Sequence, residues 1–137
     1  MDKELFDLCK QVYEKTGWNN TEFFWVAPPL NNTDYEVMHK SKLHQLNDYI
    51  ANPDMIDKMY NSTFCYDSDY ILEKLPGLIG AYQSKWVQCL RLAKNEKHGY
   101  LAGYIGTDLV WTHSNQSDTP LKALLKLTLA LSEAGEL

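Results

Sequence analysis

The end of the chain constrains its fold most. Asp118-Thr119-Pro120 sets a capping side chain directly before a proline at the first helical position, a strong helix start. Leu121, Leu124, Leu125, Thr128, Leu129 and Leu131 then carry the helix to Gly135. Apolar residues cover most of its circumference, so it has to be buried between neighbouring elements.

The residues ahead of this helix supply a layer for it. Lys85 to Ala93 is β-like, and Asn95 to Gly99 provides a hairpin loop ending in glycine. Tyr100 to Ile105 forms the return strand, and Gly106-Thr107 turns into a third strand, Asp108 to His113. Upstream, Ser68 is an N-cap for a helix through Leu75, stopped by Pro76-Gly77. At the other end, Leu5, Phe6, Leu8, Cys9, Val12 and Tyr13 have helical spacing over Asp2 to Thr16, with Gly17 as the stop. Glu22 to Ala27 reads as a strand, and Pro28-Pro29 behind it places it at an edge or leading into a loop. Between Asn31 and Thr63 the apolar residues suit two short helices broken at Asn52-Pro53. This segment reads as a helical, irregular insert.

The order is helix, strand, irregular segment, helix, three-stranded meander, helix. It predicts an α+β fold in which an antiparallel β-meander of three to four strands is layered with helices, a helix–sheet–helix sandwich. A chain of 137 residues fits a single domain spanning 1–137.

Charge narrows the function classes. The net charge is −5, and Arg91 is the single arginine, so the clustered cations that phosphate binding needs are missing and nucleic acid is disfavoured as a partner. No apolar run approaches the length of a membrane span, and Met1-Asp2-Lys3-Glu4 lacks a signal-peptide core, which predicts a cytoplasmic protein with no membrane partner. Cys9, Cys65 and Cys89 stand at no motif spacing and read as buried small hydrophobes in a reducing compartment.

Catalytic motifs are missing from the sequence. His39, His44, His98 and His113 never fall at the spacing that puts two ligands on one helical face, so no metal site and no cofactor are expected. Six residues are candidates for ligand or partner binding. Tyr66 and Asp69 belong to a polar run at a helix N-terminus, where capping is the plainer reading. His113 ends a strand beside Trp111, a position that often lines a pocket mouth. Trp25, Trp111 and Tyr104 belong to a reservoir of planar groups, with Trp18, Trp86 and Tyr100, which either pack the core or line a cleft.

Two stretches carry a family resemblance. Ser117-Asp118-Thr119-Pro120-Leu121-Lys122-Ala123-Leu124, after a strand with an aromatic residue, resembles the closing helix start of small bacteriophage proteins with the ABA-sandwich domain. Ser68 to Leu75 is similar to the helix before that family's meander, so the resemblance spans about Asp67 to Ala134. Trp18 to Leu30 is loosely like the family's aromatic opening, whereas the 31–63 insert exceeds its linker. The resemblance implies a helix–sheet–helix sandwich, a phage origin and an accessory role, with no catalytic residues to carry over.

The resulting expectation is a non-enzymatic phage accessory protein in the host cytoplasm, binding a host factor and countering host defence. It would capture a host protein or sequester a small, nucleotide-like signalling molecule, and a homo-oligomer is compatible with either. The alternatives are a nucleotide-processing enzyme built around His113 and Asp69, and a structural or assembly subunit.

Overall fold

The computed structural model describes residues 3–27, 36–39, 61–79, 88–97, 99–106 and 109–137. The chain forms two compact units, Met1–Tyr66 and Asp67–Leu137, each with its own antiparallel sheet. Helices layered on antiparallel sheets make this an α+β fold.

In the N-terminal unit, helix α1 (Lys3–Thr16) buries Phe6, Leu8, Cys9 and Val12. Gly17 ends it at φ +68, and its amide donates to the Tyr13 carbonyl at 2.8 Å. The sheet has the order β2-β1-β3, from β1 (Phe23–Ala27), β2 (Glu36–His39) and β3 (Asn61–Phe64). Strand β1 is therefore central, not at an edge, and it ends at Ala27, ahead of Pro28-Pro29 in the sequence. The 31–63 insert is not wholly helical either, since its described residues, 36–39 and 61–63, belong to strands flanking β1. The two helices expected between them lie outside the described residues. The Phe64 ring packs at a tilt against Phe24 at 4.9 Å and Tyr13 of α1 at 4.7 Å, tying helix to sheet. The Tyr66 hydroxyl donates to the Trp18 carbonyl at 2.5 Å across 48 positions of sequence.

The C-terminal unit opens with α2 (Ser68–Lys74). Its cap is Asp67 rather than Ser68: the Asp67 carboxylate accepts from the Tyr70 amide at 2.7 Å. The sheet runs β4-β5-β6-β7, from β4 (Leu78–Ile79), β5 (Gln88–Asn95), β6 (Gly99–Ile105) and β7 (Trp111–Ser117). Strand β7 begins at Trp111 rather than at the expected Asp108, and it continues past His113 to Ser117. Its polar second half, Ser114-Asn115-Gln116-Ser117, reads like a loop but suits an edge strand.

Helix α3 (Pro120–Glu133) starts as its sequence predicts, with the Thr119 hydroxyl accepting from the Lys122 amide at 3.2 Å. It stops in a Schellman turn, with Glu136 N–H on the Leu131 carbonyl, Gly135 N–H on the Ser132 carbonyl, and Gly135 at φ +73. It packs on β6 and β7 and also against α2, which is why its apolar surface extends so far round. Leu124, Leu125, Leu127, Thr128 and Leu131 are fully buried, facing a sheet surface whose centre, Ala102 and Tyr104, is equally buried.

Candidate functional site

Three of the six candidate residues are core. Trp25, Tyr66 and Tyr104 are buried, and both tyrosine hydroxyls are spent on carbonyls, Tyr66 on Trp18 and Tyr104 on Pro76 at 2.6 Å. Asp69 is exposed in the first turn of α2, and among the described residues no hydrogen bond joins it to His113. Only Trp111 and His113 share an element with a solvent-facing surface, on β7.

Burial pushes the Tyr104 phenol up to about 12, and the nearby Glu136 carboxylate adds to the shift. The ordinary value in an unfolded chain is near 10, so the unfolded form releases its proton first. The stability that buried, neutral Tyr104 contributes is complete below pH 10 and is lost as pH rises toward 12. Alkaline titration of unfolding should show the C-terminal unit weakening in this window, and Tyr104→Phe should flatten the curve there. An unchanged slope in Tyr104→Phe would rule this out.

In the N-terminal unit, Trp25 and Thr63 are direct cross-strand partners. The Trp25 indole nitrogen and the Thr63 hydroxyl are both buried without a hydrogen-bond partner among the described residues. Burial pushes the Cys9 thiol up, opposed by the Tyr66 backbone and by the Trp25 indole, which bears on the sulfur without reaching hydrogen-bond geometry. An orphaned buried hydroxyl costs about 1–3 kcal/mol. Thr63→Val, which keeps the shape, should therefore raise the unit's unfolding free energy by about 1 kcal/mol, read by denaturant titration. Of the other thiols, Cys65 and Cys89 are half-buried rather than buried, which corrects the expectation for them.

The surface around Trp111 is built by one glycine and two backbone outliers. In an antiparallel ladder, directly paired residues point to the same face. The pairs Leu90–Tyr104 and Leu92–Ala102 therefore mark the face under α3. Arg91–Gly103 and Ala93–Leu101 mark the opposite one, which also carries Ile105 and its partner Trp111. Both described helices of the unit lie on the first face: α3 packs there, α2 packs on α3, and Tyr104 bonds just beyond α2. On the second face Ala93, Leu101, Ile105 and Trp111 are half-buried and Arg91 is exposed.

Gly103 makes room for the indole. A Cβ there would sit 3.1 Å from Trp111 Cε3 and 2.9 Å from Ser114 Cα. The ladder bulges at the same place, with His113 and Ser114 both opposite Gly103, and His113 takes the left-handed conformation at φ 52. The Asn115 side-chain amide donates to the His113 carbonyl at 2.9 Å and holds that bend. On the other side of Trp111, Leu109 is also left-handed at φ 60, its amide on the Gly106 carbonyl at 3.0 Å. These are the two non-glycine residues with positive φ among those described. A branched or bulky side chain in that conformation is strained, and such strain collects at binding and switch segments. Here it presents an apolar tip: Leu109 is 77% exposed and Val110 54%, leading into Trp111.

Two carbonyls of β7 are already engaged by side chains. Asn115 occupies the His113 carbonyl, and the Lys126 ammonium lies 3.5 Å from the Gln116 carbonyl and 3.4 Å from the Ser117 hydroxyl. A bulge and a lysine are the usual means by which an edge strand avoids pairing. What β7 offers is its face and its tip.

Sequence reasoning found Trp111 but missed Leu109, Val110 and Arg91. Gly103 was the available signal, since glycine inside a strand marks a bulge or a close approach. Lys122 was also missed: it is buried on α3, 3.3 Å from the Asp118 carboxylate, whose proton affinity it lowers. Among the described residues no three His, Cys, Asp or Glu side chains gather as a metal site, and no helix is long and apolar enough to cross a membrane. No protein-family model, curated protein or solved structure matches the chain.

Proposed function

We propose that this chain is a binding protein without catalytic activity, and that it captures a partner polypeptide through the Leu109–Trp111 tip and the sheet face behind it. The observation that carries this reading is the paired backbone strain at Leu109 and His113, which holds an exposed apolar tip beside an indole seated over Gly103. Interfaces are anchored by such large side chains, tryptophan above all, on rigid elements. Capture of a polypeptide is favoured over sequestration of a nucleotide-like molecule because Trp25, Tyr66 and Tyr104 are buried and offer no exposed ring for stacking. The likeness of Asp67 to Ala134 to phage ABA-sandwich proteins supports an accessory role for a phage, with a host factor in the host cytoplasm as the partner and host defence as the process opposed.

The test is affinity purification of the tagged chain from its host, comparing the native protein with Trp111→Ala and with Glu73→Ala on the exposed side of α2. One stoichiometric partner retained by native protein and Glu73→Ala, and absent from Trp111→Ala, is the expected result. A partner kept equally by all three proteins would place the interface elsewhere. Turnover of a nucleotide by the purified chain would overturn the non-enzymatic reading.

A further inference from the structure

On the reading of the Trp111 face as a binding surface, the one lysine or arginine that the described strands place on that face narrows the partner further. Arg91 leaves the sheet on the same side as Trp111, directly across from Gly103, over which the indole lies. Its flanking positions on that face are Cys89 and Ala93 along β5, with Leu101 and Ile105 on β6. None of these can be charged but the half-buried Cys89 thiol. Arg91 is exposed and forms no side-chain ion pair among the described residues. The only arginine of a protein with net charge −5 therefore stands, among the described residues, in apolar surroundings.

We propose that the captured segment is an aliphatic stretch of polypeptide bearing a carboxylate, with its apolar side chains on Leu109, Val110 and Trp111 and its carboxylate on Arg91. A guanidinium is weakly hydrated and forked, so it gives up water readily and meets a carboxylate through two parallel hydrogen bonds. A single cation in a protein of this net charge suits a singly charged group. Phosphate-rich ligands need several cations together. Asn115 and Lys126 already engage two β7 carbonyls, which disfavours an added strand, so the segment engages through side chains on the sheet face.

A random library of short displayed peptides, selected on the full-length protein, tests this without knowledge of the natural partner. The enriched peptides should combine aliphatic residues with an Asp or Glu. A synthetic copy of the most enriched peptide should bind Arg91→Glu at least about tenfold more weakly, and replacing its acidic residue by Lys should restore binding to that variant. Arg91 is exposed, so Arg91→Glu should unfold at the native midpoint, checked in the same samples. Peptides enriched without an acidic residue, or bound equally by Arg91→Glu but lost in Trp111→Ala, overturn the carboxylate assignment and leave the capture face standing. No enrichment, or enriched peptides bound equally by Trp111→Ala, overturns both.

Discussion

Gly99→Ala should cost the C-terminal unit about 2–5 kcal/mol, a large share of the stability such a unit has. Two penalties coincide at this residue. Its φ is +80, which an alanine adopts only at about 1–2 kcal/mol. Its Cβ would also collide with the Ser117 carbonyl oxygen, a backbone atom that cannot swing aside. Relief requires opening the β6–β7 ladder at its end, where Tyr100 pairs with Ser117, directly before the cap of α3. Gly135→Ala is the matched control: φ is similar at +73, but nothing stands within 4 Å of a Cβ there. Its cost should be confined to the conformational penalty, about 1–2 kcal/mol. Denaturant midpoints of the two variants separate the collision from the conformation, and equal losses would show that the Ser117 contact contributes nothing.

Leu124→Ala should be comparably damaging, at about 2–5 kcal/mol. Leu124 is fully buried on α3, which packs on both the sheet and α2, so a deleted isobutyl group leaves a cavity that the rigid layers cannot close. Leu129, half-buried on the same helix, should lose roughly half as much when cut back to alanine, because its site is already partly open to water. Thermal unfolding of both variants tests the layer order directly. A smaller loss at Leu124 than at Leu129 would mean that α3 turns a different face to the sheet.

Much of this architecture is legible in the sequence wherever local chemistry decides the outcome. The Thr119-Pro120 start, the Gly135 stop, α1 with Gly17 and the Asn95–Gly99 hairpin are all set by a few neighbouring residues, and each stands where its residues predict. Elements defined by distant pairing are not legible. Strands β2 and β3 are four residues each and lack clear alternation; they exist because β1 sits between them. The pairs Ala27–Asn61 and Phe24–Phe64 close a long loop, and no local signal announces such a closure. Strand β7 departs from its expected bounds for a related reason. Its polar half is stabilised by pairing with β6 and by Lys126, neither of which is a neighbour in sequence.

The candidate site divides the same way. Aromatic residues are visible in a sequence, but whether each faces a core or a surface depends on strand register. Tyr104 and Trp111 belong to adjacent strands, yet the ladder sends Tyr104 under α3 and Trp111 to the opposite face. The left-handed residue at Leu109 gives no warning, since leucine seldom adopts that conformation, and histidine, although it tolerates it more readily, does not mark His113 out. Arg91 stands out in the sequence only as the single arginine; its place across from Gly103 gives it a role.

If the Trp111 face is where a partner binds, the indole itself reports on it. The measurement is the NMR spectrum of the indole N–H groups, assigned by Trp111→Phe, recorded before and after adding the partner recovered by affinity purification. The Trp111 resonance should shift and become protected from solvent exchange in the complex, while that of buried Trp25 stays in place. A saturated complex in which Trp111 keeps its free position and exchange rate would contradict a binding role for this face.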